Sequence, residues 1–102
     1  MASRLELQQE LEDVLGSRNV YFQPPESVKM KYDAIVYSLS NMRLDYADDL
    51  SYKRHKQYDI LVISRNGDNQ IADHLLDHFK WIRFDRRYVA DNLYHDALSL
   101  YY

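Results

Sequence analysis

Residues 21–40, YFQPPESVKMKYDAIVYSLS, hold two prolines and a polar, basic stretch between two runs of strand-forming residues. Proline has no N–H to donate to a β-ladder, so Pro24 and Pro25 predict the end of a short strand over residues 19–23. A second strand begins once the polar stretch has passed. The link between the two strands is therefore stiff at its start, and its role is the first question that the sequence raises.

Residues 33–39 alternate in the way of a β-strand. One face carries Ile35, Tyr37 and Leu39, and the other carries Ala34, Val36 and Ser38. Both faces are apolar around Val36, which is typical of a central strand that a helix covers on one side. The alternation therefore predicts a strand inside the sheet.

Residues 52–64, YKRHKQYDILVIS, predict a long strand with two halves of different character. The first half is charged on both faces, whereas residues 60–63 are apolar on both. Paired with residues 34–46, this strand would form a long β-hairpin whose tip projects from the domain as a solvated arm, and exposed segments of this kind often make contacts. The candidate contact residues on the arm are Tyr52, Arg54 and His55.

Two stretches have the period of amphipathic helices. Residues 4–15 form the first, and Gly16 suits the left-handed residue that follows a helix. Residues 69–80 form the second, which Asp68 or Asn69 can cap. The predicted buried stripes are Leu7, Leu11, Val14 and Leu15 in the first helix and Ile71, Ala72, Leu75, Leu76 and Phe79 in the second.

The end of the chain predicts two further strands. Residues 81–89 alternate, a turn follows at Asp91 and Asn92, and the last strand runs to residue 102. The element order is thus α–β–β–β–α–β–β. It predicts one α+β domain over residues 1–102, in which two helices pack on a mainly antiparallel sheet.

The charge of the chain is unevenly distributed. The formal net charge is −3; residues 1–50 hold 5 basic and 9 acidic side chains, and residues 51–102 hold 8 and 7. This balance argues against a nucleic-acid binder that neutralises a phosphate backbone, which needs a basic stripe. It suits self-association, in which an acidic patch on one copy meets a basic patch on the next.

Composition excludes several other classes. The chain has no cysteine, hence no disulfide or thiol chemistry, and its two glycines are too few for a phosphate-binding loop. The first residues lack the pattern of a signal peptide, and no stretch reaches the length of a transmembrane helix. We therefore expect a soluble protein made in a cytoplasm.

Histidines are the main candidates for catalysis or metal binding. His74 and His78 lie four residues apart on the second helix, a spacing that can bring two imidazoles to one metal ion, but the glutamate of the H-E-x-x-H motif is absent. His95 and Asp96 are neighbours on a strand, so their side chains point to opposite faces. We predict no catalytic residue, no metal site and no cofactor, and hence no enzyme.

Two pairs of residues have two interpretations each. Arg86 and Arg87 can make forked contacts with carboxylates of a neighbouring subunit, or pair locally with Asp85 or Asp91. The Pro24-Pro25 link is either a preorganised contact loop, which loses little entropy on docking, or an ordinary connection. The sequence leaves both questions open.

The residues also suggest a family. Residues 15–40 (LGSRNVYFQPPESVKMKYDAIVYSLS), 52–64 (YKRHKQYDILVIS) and 84–102 (FDRRYVADNLYHDALSLYY) resemble small proteins of tailed phages and prophages of Gram-positive bacteria. These are the tail-completion or tail-terminator proteins, and the resemblance covers nearly the whole chain. Asp33 stands where the family pattern has a proline.

The resemblance implies a tail-terminator-like α+β domain that forms a homo-oligomeric ring, a hexamer, on the end of the tail tube. Such a ring stops tube polymerisation and offers a surface for head–tail joining. Its partners would be the major tail tube protein and the head–tail connector protein, with non-specific passage of phage DNA and no membrane. Its location would be the host cytoplasm during assembly and then the neck-proximal end of the virion tail.

Three alternatives remain at the level of sequence. A head-completion or connector protein of the phage neck could share the size and the ring. The chain could also be a small binding module of a mobile element, or a metal-dependent hydrolase that uses His74 and His78.

Overall fold

The structure, a computed structural model, describes residues 4–25, 27–45 and 53–102, with the backbone alone for 41–45 and 53–55. It contains two helices and five strands. They are α1 (Arg4–Leu15), β1 (Val20–Phe22), β2 (Ala34–Asp45), β3 (Lys53–Ser64), α2 (Ile71–His78), β4 (Ile82–Ala90) and β5 (Leu93–Tyr101). The predicted order of elements is confirmed.

The five strands form one sheet in the order β1-β2-β3-β5-β4. Neighbouring strands are antiparallel except β1 and β2, which run parallel. Both helices contribute to one hydrophobic core against the sheet. The prediction of an α+β fold with a mainly antiparallel sheet is confirmed.

The parallel pairing of β1 and β2 explains why the link between them is long. Parallel neighbours cannot be joined by a tight hairpin turn, because the chain must return to the end from which it started. At the exit of β1, the backbone N–H of Gln23 donates to the Tyr37 carbonyl at 2.9 Å. On the way back, the N–H of Lys31 donates to the Tyr21 hydroxyl at 3.1 Å.

Asp33 fixes the end of this link to the sheet. One oxygen of its carboxylate accepts from the Ser64 hydroxyl at 2.9 Å and from the backbone N–H of Arg65 at 3.2 Å. Asp33 therefore joins the start of β2 to the end of β3.

The core lies between the helices and one face of the sheet. Its buried members are Leu7, Leu11, Val20, Ile35, Tyr37, Tyr58, Ile60, Val62, Ala72, Leu75, Phe79, Leu98 and Leu100. Tyr37 is polar at its tip, and its hydroxyl donates to the Gln8 side chain at 2.5 Å. Burial raises the pKa of Tyr37 above its usual value.

The second helix is shorter than the sequence predicts. It begins at Ile71, with Gln70 at the N-cap position, so the prediction of Asp68 or Asn69 as the cap residue is wrong. Asn69 nevertheless accepts a hydrogen bond from the Ile71 N–H at 3.1 Å through its side chain. Leu76, predicted to be buried, is 36% exposed because it lines an open groove between α2 and β4.

The long pairing of β2 with β3 is present in the structure. The register runs from Ala34 opposite Ile63 to Asp45 opposite Lys53, with one irregularity between Leu39 and Asn41. The register of β5 with β3 ends at Gln57. The hairpin pairs from Met42–Lys56 to Asp45–Lys53 therefore lie beyond the last pair between β3 and β5.

Candidate functional site

The most distinctive surface is the outer edge of the sheet, which β4 forms. Its partner β5 follows after a two-residue turn, and both turn residues, Asp91 and Asn92, have positive φ (53° and 63°). Positive φ at both positions is the geometry that matches the twist of a tight hairpin. We call residues 80–90 the β4 flank.

A β-bulge at Asp85 decides which way the β4 side chains point. Phe84 lies opposite Leu98, but the next registered residue, Arg86, lies opposite Ala97, so Asp85 is an extra residue. The insertion reverses the alternation. Arg87 consequently faces the helices, as Phe84 does.

Arg87 forms a forked ion pair with Asp96 of β5. Its Nε and Nη2 donate to the two carboxylate oxygens at 2.6 and 3.0 Å, and Nη1 donates to the Gly67 carbonyl at 2.7 Å. Asp96 is only 1% exposed, and its hydrogen bond is the main reason that the pKa of Arg87 is raised above its usual value. A buried carboxylate needs such a partner to remain charged.

The sequence left open which carboxylate Arg87 binds, and this ion pair identifies it. The carboxylate that it binds is Asp96, so the predicted local pair with Asp85 or Asp91 is wrong for this residue. Asp85 and Asp91 are near Arg87 in the sequence, but in a hairpin the residue directly across the strands lies closer to the guanidinium.

Arg86 is exposed on the opposite face. Its guanidinium lies 5.0 Å from the centre of the Tyr88 ring, and Tyr88 stacks on His95 with ring centres 4.8 Å apart. The aromatic pair fixes the base of the side chain and stabilises a cation above it. The charge of Arg86 is therefore presented to the surroundings.

Asp85, the bulge residue, is held on that same face. Its carboxylate accepts from the Ser99 hydroxyl at 2.6 Å and from Arg83 Nε at 2.9 Å. These bonds, with that of Ser99 the stronger, lower the pKa of Asp85 below its usual value. The bulge is thus stabilised by side-chain bonds to both strands of the hairpin.

The same edge has exposed apolar side chains. Seven large apolar residues are exposed in the part of the chain that the structure describes, and four of them belong to α2 or to the β4 flank. They are Leu76, Trp81, Phe84 and Val89, with exposed fractions of 36%, 55%, 42% and 62%. Clustered exposed apolar residues mark interaction surfaces.

A groove of about 420 Å³ runs between α2 and β4. Ala72 and Leu76 line it from the helix, and Phe84 and Arg87 line it from the strand. We call it the α2–β4 groove. Asn69 and Asp73 also line the groove, together with Asp96, which pairs with Arg87.

The opposite flank of the domain is different in chemistry. Helix α1 contacts α2 and also β1 and β2, the strands at the end of the sheet away from β4. Its outer face, which we call the α1 flank, consists of Leu5, Gln9, Glu12 and Asp13. Glu12 and Asp13 accept hydrogen bonds from the amides of Gln8 and Gln9 at 2.9 and 3.0 Å.

Pro24 and Pro25 are not brought together with Arg86. Pro24 is half-buried and Pro25 is exposed, beside β1 at the other end of the sheet. Arg54 and His55 pair through their backbone with Leu44 and Arg43, and Tyr52 lies outside the described residues. Their roles as contacts stay predictions.

Of the two histidines considered for a metal, His78 has a structural partner. Its Nε2 lies 2.9 Å from a carboxylate oxygen of Glu10 on α1, and the Tyr102 hydroxyl donates to the other oxygen. Burial and the Glu10 carboxylate raise the pKa of Tyr102 well above its usual value. Among the side chains that the structure describes, no three His, Asp or Glu are grouped to hold a metal ion.

Comparisons with known proteins give no assignment. No protein-family model matches the chain, and no curated protein matches it significantly. Among the described residues, none of the helices is long and apolar enough to cross a membrane. Functional inference therefore rests on the surfaces described above.

Sequence reasoning missed the apolar part of this surface. The sequence predicts Leu76 in the buried stripe of its helix, but Leu76 is 36% exposed beside β4, where Phe84 is 42% exposed. Leu5, 68% exposed, was outside the predicted stripe of α1. Its position on the polar face of the helix could have indicated an exposed apolar residue, since the core of the same domain lies on the other face.

Proposed function

We propose that this domain is a structural assembly protein of a tailed phage, and that identical copies form a ring which closes the end of the tail tube. In this role it makes no covalent bond in a substrate. The ring stops tube polymerisation and provides the surface to which the head connector joins.

One observation carries the proposal: the two opposite flanks of the domain are unlike and complementary in charge. Residues 4–15 hold one basic and four acidic side chains, and residues 80–90 hold four basic and one acidic. A ring of identical subunits requires a contact of this kind, in which one patch meets a different patch on the next copy. Opposite charges favour that encounter and disfavour contact between like flanks.

The β2–β3 hairpin has a place in the same proposal. Its outer pairs, from Asn41 opposite Gln57 to Asp45 opposite Lys53, act as the projecting arm that contacts the tail tube protein or the connector. Arg54 and His55 would lie on that arm. The Pro24-Pro25 link would present a fixed contact surface on the acidic side of the domain.

A net charge of −3 suits a ring through which DNA passes. A lumen without dense positive charge does not hold the phosphate backbone, so the genome can slide.

Electron microscopy of virions that lack this gene product tests the proposal. We expect tails of irregular length and free of heads, because tube growth has no stop signal. Tails of normal, uniform length already joined to heads would refute the proposed function. Tails of uniform length beside separate DNA-filled heads would instead assign the protein to the neck, as a connector.

A further inference from the structure

We infer that the β1–β2 link (residues 23–33) of one copy docks into the α2–β4 groove of the next copy, with Val28 as the side chain that enters the groove. The inference rests on the proposed ring for its biological setting and names the joint between neighbouring subunits. The contact itself is a property of the isolated chain, so it can be tested separately.

The link and the groove lie at opposite ends of the sheet. The link follows β1, the first strand in the sheet order, and the groove lies beside β4, the last. A contact between them therefore joins two copies head to tail. Repetition of one such contact generates a ring when the rotation between copies closes.

The groove has apolar walls and an excess of negative charge. Leu76 and Phe84 are 36% and 42% exposed on its two walls. Arg87 already binds Asp96 in a fork, so these two charges compensate each other. Asp73 also lines the groove and is exposed, and among the residues that the structure describes it has no hydrogen-bond or ion-pair partner. The groove therefore favours an apolar side chain that a cation accompanies.

Three of the exposed large apolar residues described lie outside α2 and the β4 flank, and their neighbours distinguish them. They are Leu5, Val28 and Leu39. Leu5 lies on the α1 flank with Asp13, and two carboxylates would repel each other if this flank approached Asp73. Leu39 lies between two serines in β2 and brings no cation.

Val28 has the chemistry that the groove favours. It is 37% exposed, and Lys29 and Lys31 beside it are exposed as well. Residues 24–32 hold these two lysines and one acidic residue, Glu26, so their formal charge is 2 − 1 = +1. The groove volume of about 420 Å³ accommodates a valine side chain together with part of the chain that carries it.

The link is held in place before it docks. The side-chain oxygen of Gln23 accepts from the Leu39 N–H at 3.1 Å, and the Val28 N–H donates to the Pro25 carbonyl at 3.0 Å. Further along, the Lys31 N–H donates to the Tyr21 hydroxyl. With two prolines at its start, the link has few conformations to lose on docking, which favours the contact.

Disulfide trapping gives a direct test, because the chain has no cysteine of its own. The Val28→Cys variant is mixed with a mass-tagged Leu76→Cys variant and oxidised at low salt. We expect the mixed disulfide to form roughly tenfold faster than in a pair that meets only by random collision, because docking raises the effective concentration of the sulfurs. Phe84→Cys, on the other wall of the groove, should trap Val28→Cys in the same way.

Leu5→Cys mixed with the same Leu76→Cys protein is the control. Leu5 is 68% exposed, against 37% for Val28, so random collision alone would favour the control pair. Both mixtures contain the same acceptor protein, so any change in the fold of that variant affects them alike.

Charge reversal tests why the link is the occupant. Adding Asp73→Lys to the Leu76→Cys chain should slow trapping by Val28→Cys toward the control rate, and changing Lys29 and Lys31 to aspartate in the Val28→Cys chain should then restore part of it. Asp77→Lys is the matched control. It makes the same change at an exposed position of α2, but Asp77 lines the groove between α1 and α2 instead, so the rate should not change.

A Val28–Leu76 rate no greater than that of the Leu5–Leu76 pair overturns the inference, as do equal effects of Asp73→Lys and Asp77→Lys. These results are independent of the test of function. Trapping, with normal tails in virions lacking the protein, leaves the contact and removes the ring at the tail. Abnormal tails without trapping leave the function and remove this contact.

Discussion

Each face of the β4–β5 hairpin carries an arginine, and the two arginines have different environments. On the face toward the helices, Arg87 is bound in a fork to Asp96, which is 1% exposed. On the other face, Arg86 lies over the Tyr88 ring and remains accessible. Adjacent residues of the same type therefore serve the stability of the fold in one case and its surface in the other.

The bulge at Asp85 is responsible for this difference. Without the extra residue, the alternation from Ile82 and Phe84 would put Arg86 toward the helices and Arg87 outside. Arg86, rather than Arg87, would then lie opposite Asp96. A single inserted residue thus decides which arginine is structural, and the comparison can be tested by changing each side in turn.

The largest effect is expected for Arg87→Ala. The substitution leaves the Asp96 carboxylate buried without a partner, and we expect the free energy of unfolding to fall by about 3 kcal/mol. Urea denaturation measures the change. Replacing Asp96 by alanine as well should restore part of the loss, since no charge is then buried alone; a loss below about 1 kcal/mol in the single variant would contradict the structural role.

A smaller effect is expected for Arg87→Lys, which keeps the charge and removes the fork. Lysine cannot bind both carboxylate oxygens and the Gly67 carbonyl in the same geometry, so we expect a loss of about 1.5 kcal/mol. The same denaturation experiment sharpens the comparison by separating charge from geometry. Equal stability of the lysine variant and the parent would show that the fork does not matter.

On the outer face, Ser99→Ala should reduce the free energy of unfolding by about 1 kcal/mol at neutral pH, because Asp85 loses a hydrogen bond. The pKa of Asp85 is lowered in the folded state. Its contribution is therefore present above the unfolded pKa of about 4 and is lost as pH falls through the folded value. Unfolding measured from pH 7 to pH 2 should show the parent and the variant converging; a constant gap would contradict this.

The smallest effect on stability is expected for Arg86→Ala, within about 0.5 kcal/mol, because its side chain is exposed. Its consequence should instead be weaker association between copies at low salt, measured by sedimentation at several protein concentrations. Arg65→Ala, which removes an exposed arginine between β3 and α2, is the control. A large loss of stability in Arg86→Ala would show that the two arginines have been assigned the wrong way round.

Much of the fold was predictable because it follows from local periodicity. The stripe of Leu7 and Leu11 places α1 on the sheet, and Gly16 ends it with φ of +80°, as the sequence predicts. Ile35 and Tyr37, which the alternation places on one face of β2, both belong to the core that the helices cover. These signals depend only on residues a few positions apart, so the chain itself is sufficient to show them.

The candidate site was predictable only in part. The sequence predicts Arg86 and Arg87 as contact residues, but it does not show that Arg87 turns toward the buried Asp96 while Arg86 faces the other side, because a bulge leaves no reliable mark in a short sequence. The sequence places Leu76 in the buried stripe of α2 for a related reason. An apolar residue at the edge of a core has the same helical period as one at its centre.

The sequence by itself determined the helices, the strands, their order, and the opposite charges of residues 4–15 and 80–90. The tertiary structure decided that β1 pairs parallel with β2, that Asp96 lies beneath Arg87, and that Leu76 and Phe84 line an open groove. The reason is physical: periodicity and charge are properties of neighbouring residues, whereas strand order, register and exposure depend on which distant segments pack together.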